Sequence, residues 1–320
     1  MKTDKNMPPL NGNGELAIDV SDLTKKYTQV PAVDRVTFQV KKGEIFGFLG
    51  PNGAGKTTTM RMLTGVIKPN NGKAYIMGHK AGSLAAKQVT GVVPEMSNAY
   101  GDLSGRDNMT LMAHLYGISG GRAKENTLLL LQKVGLDERQ KDPVKTYSKG
   151  MKQRLILAMA MMGDPDILFL DEPTSGLDVQ SARLINKLIR ELNSAGKTIF
   201  LTTHDMDEAN QLCHRVAIIN RGKIIAVDAP ERLKMAVSGM HSVEVSFNSE
   251  VDAAFFESFV GVESVKQMGD KYRLYTASPG ELVVSLVNRV SSNGLQIVSL
   301  NILSPSLEDA FVALTERTVE

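Results

Sequence analysis

Short apolar runs rich in β-branched residues recur through the first 95 positions. Val36 to Val40, Ile45 to Leu49 and Ala74 to Met77 are parted by the turn formers Lys42-Gly43 and Asn70-Asn71-Gly72. Runs bounded in this way read as strands, with one helix expected after Gly55. Between Asp102 and Met162 the apolar spacing changes to three and four, as in Leu111, Leu115 and Ile118 or Leu128, Leu131 and Val134, and predicts helices. Compact apolar strands return at Asp166 to Leu170, Thr198 to Thr202 and Val216 to Ile219. Strands alternating with helices make a parallel sheet covered on both faces. Residues 15–235 are therefore expected to form one α/β domain with a helical insertion over about 100–162.

Pro230 and Ser238-Gly239 punctuate the chain, and the pattern then restarts. Val243 to Phe247 reads as a strand and Val251 to Val260 as a helix. Val265 to Met268 and Tyr272 to Thr276 read as a hairpin across Gly269-Asp270, Glu281 to Ser291 as a helix and Ile297 to Leu303 as a strand. The order βαββαβ predicts a small ferredoxin-like α+β domain over 239–320. A last helix, Ser306 to Thr315, opens on a capping box made by Ser306 with Glu308 or Asp309. Residues 1–14, polar, aperiodic and carrying Pro8-Pro9, read as a disordered tail.

Composition narrows the class. The 320 residues are 42% hydrophobic and 22% charged, with 37 basic against 35 acidic side chains, which disfavours wholesale disorder and the basic excess of a polynucleotide binder. The near-neutral total hides a gradient. Residues 1–80 carry 12 basic and 6 acidic side chains, residues 241–320 carry 5 and 11, and the basic end is the one suited to anions. Cys213 is the sole cysteine and cannot form an internal disulfide; with no charged-then-apolar leader in view, a reducing compartment is expected. Cys213 itself reads as a small buried apolar residue. The longest apolar stretch, Leu155 to Met162, is far shorter than the ~18–20 residues a spanning helix needs, so the chain is not expected to cross a membrane by itself.

One loop carries chemistry. Gly50-Pro51-Asn52-Gly53-Ala54-Gly55-Lys56-Thr57 fits the P-loop pattern and lies between a predicted strand and a predicted helix, where that pattern works. Its glycines let successive N–H groups turn toward phosphate oxygens, and the helix N-terminus adds partial positive charge. Lys56 is suited to bridge β- and γ-phosphates and Thr57 to hold Mg²⁺. Downstream, Ile167 to Leu170 ends in Asp171-Glu172, two acids at the carboxyl end of a buried strand, where open α/β sheets bind ligands. Asp171 would orient the Mg²⁺ shell, and Glu172 would polarise a water for attack on the γ-phosphate. Ser148 reads as the N-cap of a helix from Met151 to Met162. Pattern alone yields a P-loop NTPase with a helical insertion.

Ser148-Lys-Gly-Met-Lys-Gln-Arg154, 23 residues before Asp171, resembles the signature motif of ABC transporter ATP-binding subunits. Ser175-Gly-Leu-Asp178 and His204 look like that family's D-loop and switch histidine, and the resemblance covers about residues 27–210. It implies ATP and Mg²⁺ as cofactors, with ATP contacted by Tyr27, by Gly50, Pro51, Asn52, Gly53, Ala54, Gly55, Lys56, Thr57 and Thr58, and by Ser148, Gly150 and Asp178. Glu172 and His204 become the catalytic pair, with Thr57, Glu95 and Asp171 at the metal. It further implies a head-to-tail pair of subunits in which Ser148 and Gly150 close over ATP held by a second copy. Separate transmembrane permease subunits, a peripheral place on the cytoplasmic side of the membrane and no nucleic-acid partner also follow.

Two departures stand out. Glu95, in Gly91-Val-Val-Pro-Glu95, replaces the usual Q-loop glutamine, and a carboxylate adds negative charge and cannot donate a hydrogen bond. Tyr147-Ser-Lys-Gly-Met151 replaces the commoner Leu-Ser-Gly-Gly-Gln. With the small acidic C-terminal domain, this variant signature resembles the multidrug or sodium export branch. Met96, Met109, Leu111, Met112 and Leu115 are either core or a soft face that grips a membrane partner. The alternative is a soluble ATPase of the same type acting on nucleic acid or ribosomes, but such chains carry two ATPase halves or long heptad arms. A small-molecule kinase is disfavoured because Glu172 is set to activate water.

Overall fold

The computed structural model describes residues 16–96, 99–236, 241–249, 251, 252, 254–257, 259–292 and 295–316; the tail read at 1–14 lies outside them. Contacts divide the chain into two units, Met1–Ala229 and Pro230–Glu320.

In the first unit, β1 (Leu16–Lys26) and β2 (Pro31–Lys41) pair antiparallel. β2 extends well before the run Val36 to Val40 visible in the sequence, and β1 corresponds to no run read there. A register shift between Val20 and Leu23 and left-handed backbone at Asp22 (φ 51°) stop the buried positions of β1 from alternating, while β2 buries Val36, Phe38 and Val40 in strict alternation. The chain continues through β3 (Ile45–Leu49), α1 (Lys56–Leu63), β4 (Asn71–Ile76), β5 (His79–Lys80), α2 (Leu84–Gln88) and β6 (Thr90–Val93). A helical segment follows, with α3 (Gly105–Leu115), α4 (Gly120–Lys133) and α5 (Lys149–Ala160). Then come β7 (Ile167–Asp171), α6 (Val179–Ser194), β8 (Thr198–Thr203), α7 (Met206–Leu212), β9 (Arg215–Asn220) and β10 (Lys223–Asp228).

The strands make two sheets. An antiparallel sheet runs β2-β1-β4-β5, and a six-stranded sheet runs β10-β9-β3-β8-β7-β6, parallel except for the edge strand β10. Every residue of β3, β7 and β8 is buried, as expected of strands covered on both faces. Phe200 centres the packing between sheets, its ring 5.4–6.0 Å from those of Phe38, Phe46, Phe48 and Phe169. In this order the carboxyl ends of β3, β8 and β7 lie side by side, which brings three loops to one edge.

The spacing of Leu111, Leu115 and Ile118 does not mark the buried face of α3. Asn108, Met109 and Ala113 are buried there, while Leu115 is 72% exposed. Asn108 goes inside because its amide bonds the backbone N–H and carbonyl of Tyr100 and the Ser104 carbonyl. Among the methionines, Met109 is core and Met96 is exposed.

The second unit comprises α8 (Pro230–Ala236), β11 (His241–Phe247), α9 (Ala254–Glu257), β12 (Ser264–Met268), β13 (Lys271–Thr276), α10 (Pro279–Ser292), β14 (Ile297–Leu303) and α11 (Leu307–Glu316). Its antiparallel sheet has the order β12-β13-β11-β14, the strand order of a split βαβ fold. Leu282, Leu286 and Val290 of α10 pack in one cluster with Val243, Val245 and Leu274. On the opposite side of β11, Glu244 pairs with Lys271 (2.8 Å) and Arg273 (3.5 Å), and the bond from Lys271 holds its carboxyl below the ordinary range. Ser306 and Asp309 form the cap of α11. The helix α8, read with the first domain from sequence, groups with this unit and packs on α11.

Candidate nucleotide site

The loop from Gly50 to Gly55 needs its glycines for definite reasons. Gly53 and Gly55 take left-handed backbone (φ 81° and 107°), and a Cβ at Gly50 or Gly55 would lie 2.3 Å from the Ile219 carbonyl or 2.6 Å from that of Ala32. Gly55 is the N-cap of α1 and offers no side-chain acceptor, so the first N–H groups of the helix remain available to an anion. Lys56, 6% exposed, folds back over the loop; its Nζ donates to the Gly50 (2.6 Å) and Pro51 (3.3 Å) carbonyls and pairs with Glu172 Oε1 at 3.2 Å.

Glu172 follows the end of β7 with a left-handed backbone, φ 48°, anchored by its N–H to the carbonyl and hydroxyl oxygens of Thr202 (both 3.1 Å). Its second oxygen, Oε2, meets His204 Nδ1 at 2.7 Å and accepts from the His204 N–H at 3.4 Å. One carboxylate thus lies between a cation from the β3 loop and an imidazole from the β8 loop. Asp171 is buried beside it; its Oδ1 accepts from Thr57 Oγ1 (3.3 Å) and from the Thr202 hydroxyl. Burial lifts the Asp171 carboxyl above the usual range, opposed by the bonds from Thr202 and Thr57. Nothing in the sequence singles out Thr202, because a threonine inside a buried strand carries no local sign that it faces the neighbouring strand's acid.

Ala32, Pro51, Asn52, Gly53, Gly55, Lys56, Thr57, Thr58, Glu95 and Glu172 line one cavity. Glu95 reaches it from the segment after β6. Gly50 and Ala54 lie in the same loop, Ala54 buried. Tyr27 does not line the cavity: its ring is 61% exposed with Lys25 Nζ 5.3 Å from its centroid. Ser148, Gly150 and Asp178 also lie outside the lining and form a separate group. Ser148 caps α5 through the Met151 N–H (3.2 Å), and Asp178 caps α6 through the Ser181 N–H (2.9 Å), a bond that lowers its carboxyl. A Cβ on Gly150 would sit 2.3 Å from Ser181 Oγ, so the signature turn packs directly on the first turn of α6. Lys149 lies across Gly176, its Nζ 2.4 Å from where a Cβ there would stand.

Among the described residues, no cluster of three or more His, Cys, Asp and Glu side chains could hold a metal by itself. The oxygens of Thr57 and Asp171 are hard donors 3.3 Å apart, which suits a magnesium ion that shares its shell with nucleotide phosphates.

A phosphate-binding loop, a buried acid pair and an imidazole on one carboxylate define, as a class, a P-loop ATP-hydrolysing cassette. The ABC transporter family matches residues 33–175. The linearmycin resistance ATP-binding protein of Bacillus subtilis (strain 168) is 34% identical over 312 residues, 94% of this chain and 99% of that protein. The Nod factor export ATP-binding protein I of Ralstonia nicotianae (strain ATCC BAA-1114 / GMI1000) is 35% identical over 313 residues, 97% of each chain. Among solved structures, a dimeric ATP-binding cassette in a post-hydrolysis state with ADP and phosphate bound is similar, with TM-score 0.61 and 26% identity over 66% of this chain and 98% of that one. An ATP-binding subunit of an ABC transporter gives TM-score 0.63 and 28% identity over 69% and 92%. The chain belongs to the ABC transporter ATP-binding proteins. It binds and hydrolyses ATP, and its relatives include ATP-binding proteins named for export.

Proposed function

We propose that this chain powers export through separate membrane-spanning subunits, working as a head-to-tail pair with a second copy. Among the described residues no helix is long and apolar enough to cross a membrane, and in this proposal the transport path belongs to other chains. The export reading draws on the relatives' names and on alignment over nearly their whole length, the second unit included. Met96 and Leu115, 82% and 72% exposed, are suited to meet the membrane partner.

The observation that carries the chemistry is the shared carboxylate of Glu172, held by Lys56 on one oxygen and His204 on the other. A γ-phosphate drawn to the loop competes for Lys56 and leaves Glu172 to accept the proton of an attacking water. His204, donating through Nδ1, keeps that carboxylate oriented. Magnesium held by Thr57 and Asp171 would neutralise the developing phosphate charge. Ser148 and Gly150 would close the partner's nucleotide, and Asp178 would hold the turn beneath them.

Affinity capture of the tagged chain from detergent-solubilised membranes tests the coupling. The expected result is co-elution of an integral membrane protein at fixed stoichiometry. A chain recovered alone, with membrane-independent turnover, would overturn the reading.

Glu95 places a second carboxylate on the cavity that already holds Glu172. The Glu95→Gln variant is expected to turn over about two- to fivefold faster and to lose less ATP affinity when magnesium is withdrawn, because one repulsive charge beside the phosphates is gone. ATP binding with magnesium and with EDTA measures this; an unchanged ratio would make the replacement neutral.

A further inference from the structure

We propose that Glu208 is a positioning residue for ATP hydrolysis, holding the loop that carries Glu172 against the helix that follows His204. This rests on the roles proposed above for Glu172 and His204. Glu208 lies in the first turn of α7 and is 4% exposed. Its backbone N–H is fixed by the cap residue Asp205 at 3.0 Å, so its side chain stands on a defined stem. Oε1 accepts from Thr174 Oγ1 at 2.7 Å, and Thr174 stands two residues after Glu172. Oε2 is buried with no hydrogen-bond partner.

An acid buried with one oxygen unpartnered costs free energy that a leucine in the same space would not. Packing therefore gives no reason for a glutamate here, whereas geometry does. The strands β7 and β8 are neighbours, but their exit loops diverge, one to α6 and the other to α7. Thr174–Glu208 is a bond across that gap, beside the 2.7 Å contact of Glu172 with His204 that it would keep in place. The charged groups that act on the Glu208 carboxyl, Asp205 and Glu172, are both acids. Burial raises this carboxyl above the ordinary range, opposed by the hydroxyls of Thr174 and Thr203.

Glutamine keeps the oxygen that accepts from Thr174. Steady-state ATPase assays of the full chain should find Glu208→Gln within about twofold of the parent kcat. Glu208→Leu and Thr174→Val should each lower kcat at least ~10-fold with the KM for ATP unchanged, since misplacement of a reacting group by an ångström is that costly. The double variant should lose no more than either single one, because both break one link. Thr174→Val removes a single hydroxyl and carries the test if Glu208→Leu fails to fold. Parent-like kcat in Thr174→Val, or a loss in Glu208→Gln as deep as in a folded Glu208→Leu, overturns the proposal. Glu172→Gln assayed alongside separates the two failures: unimpaired turnover there sinks the reading of the site itself, while loss there with an unimpaired Thr174→Val sinks only the role of Glu208.

Discussion

Glu172→Gln is expected to bind ATP at near-parent affinity, to hydrolyse it at least ~100-fold more slowly and to accumulate as a nucleotide-bound dimer, because loss of a general base typically costs 10²–10⁴ in rate. The amide keeps the shape that fills the space between Lys56 and His204, and an amide oxygen can still accept from the His204 ring. What it cannot do is take a proton. Single-turnover hydrolysis and light scattering with saturating ATP read both arms. A variant that turns over like the parent would remove Glu172 from its role; one that stays monomeric with saturating ATP would remove the closed pair.

Lys56→Ala should fail in the other direction, at binding. The ammonium is the only lysine among the residues lining the nucleotide cavity, and its replacement should weaken ATP binding by at least ~10-fold, the cost of one charge-assisted contact. It also strips a buried carboxylate of its cation. With side chains 6% and 8% exposed, Lys56 and Glu172 form a buried pair, and breaking such pairs costs about 3–5 kcal/mol, so the melting temperature should fall as well. The double variant Lys56→Ala/Glu172→Gln should regain part of that stability without regaining ATP binding. Equal melting temperatures in the single and double variants would mean that the pair is worth little.

Much of this was legible in the sequence because the signals are local. The P-loop couples three glycines to a lysine within eight residues, and β7 announces itself as an apolar run that stops at two acids. The second unit's strand order could be written down from its alternating elements alone. The bulged strand β1 hid its length because Asp22 breaks the period of two, and the stripe on α3 misled because a buried asparagine earned its place through bonds to a distant turn. Thr202, Thr174 and Glu208 were invisible for a related reason. Each acts across a gap between segments up to 34 residues apart, and nothing in a short window marks which polar residue will find an acid there.

The turn of the backbone at Glu172 has a price beyond geometry. A non-glycine residue held in the left-handed region costs on the order of 1–3 kcal/mol, and here that tension falls on the residue proposed to activate the water. On the proposed role, ruggedness and speed pull against each other at this one position: a glycine would relax the chain but remove the base, so stabilising changes are better sought elsewhere.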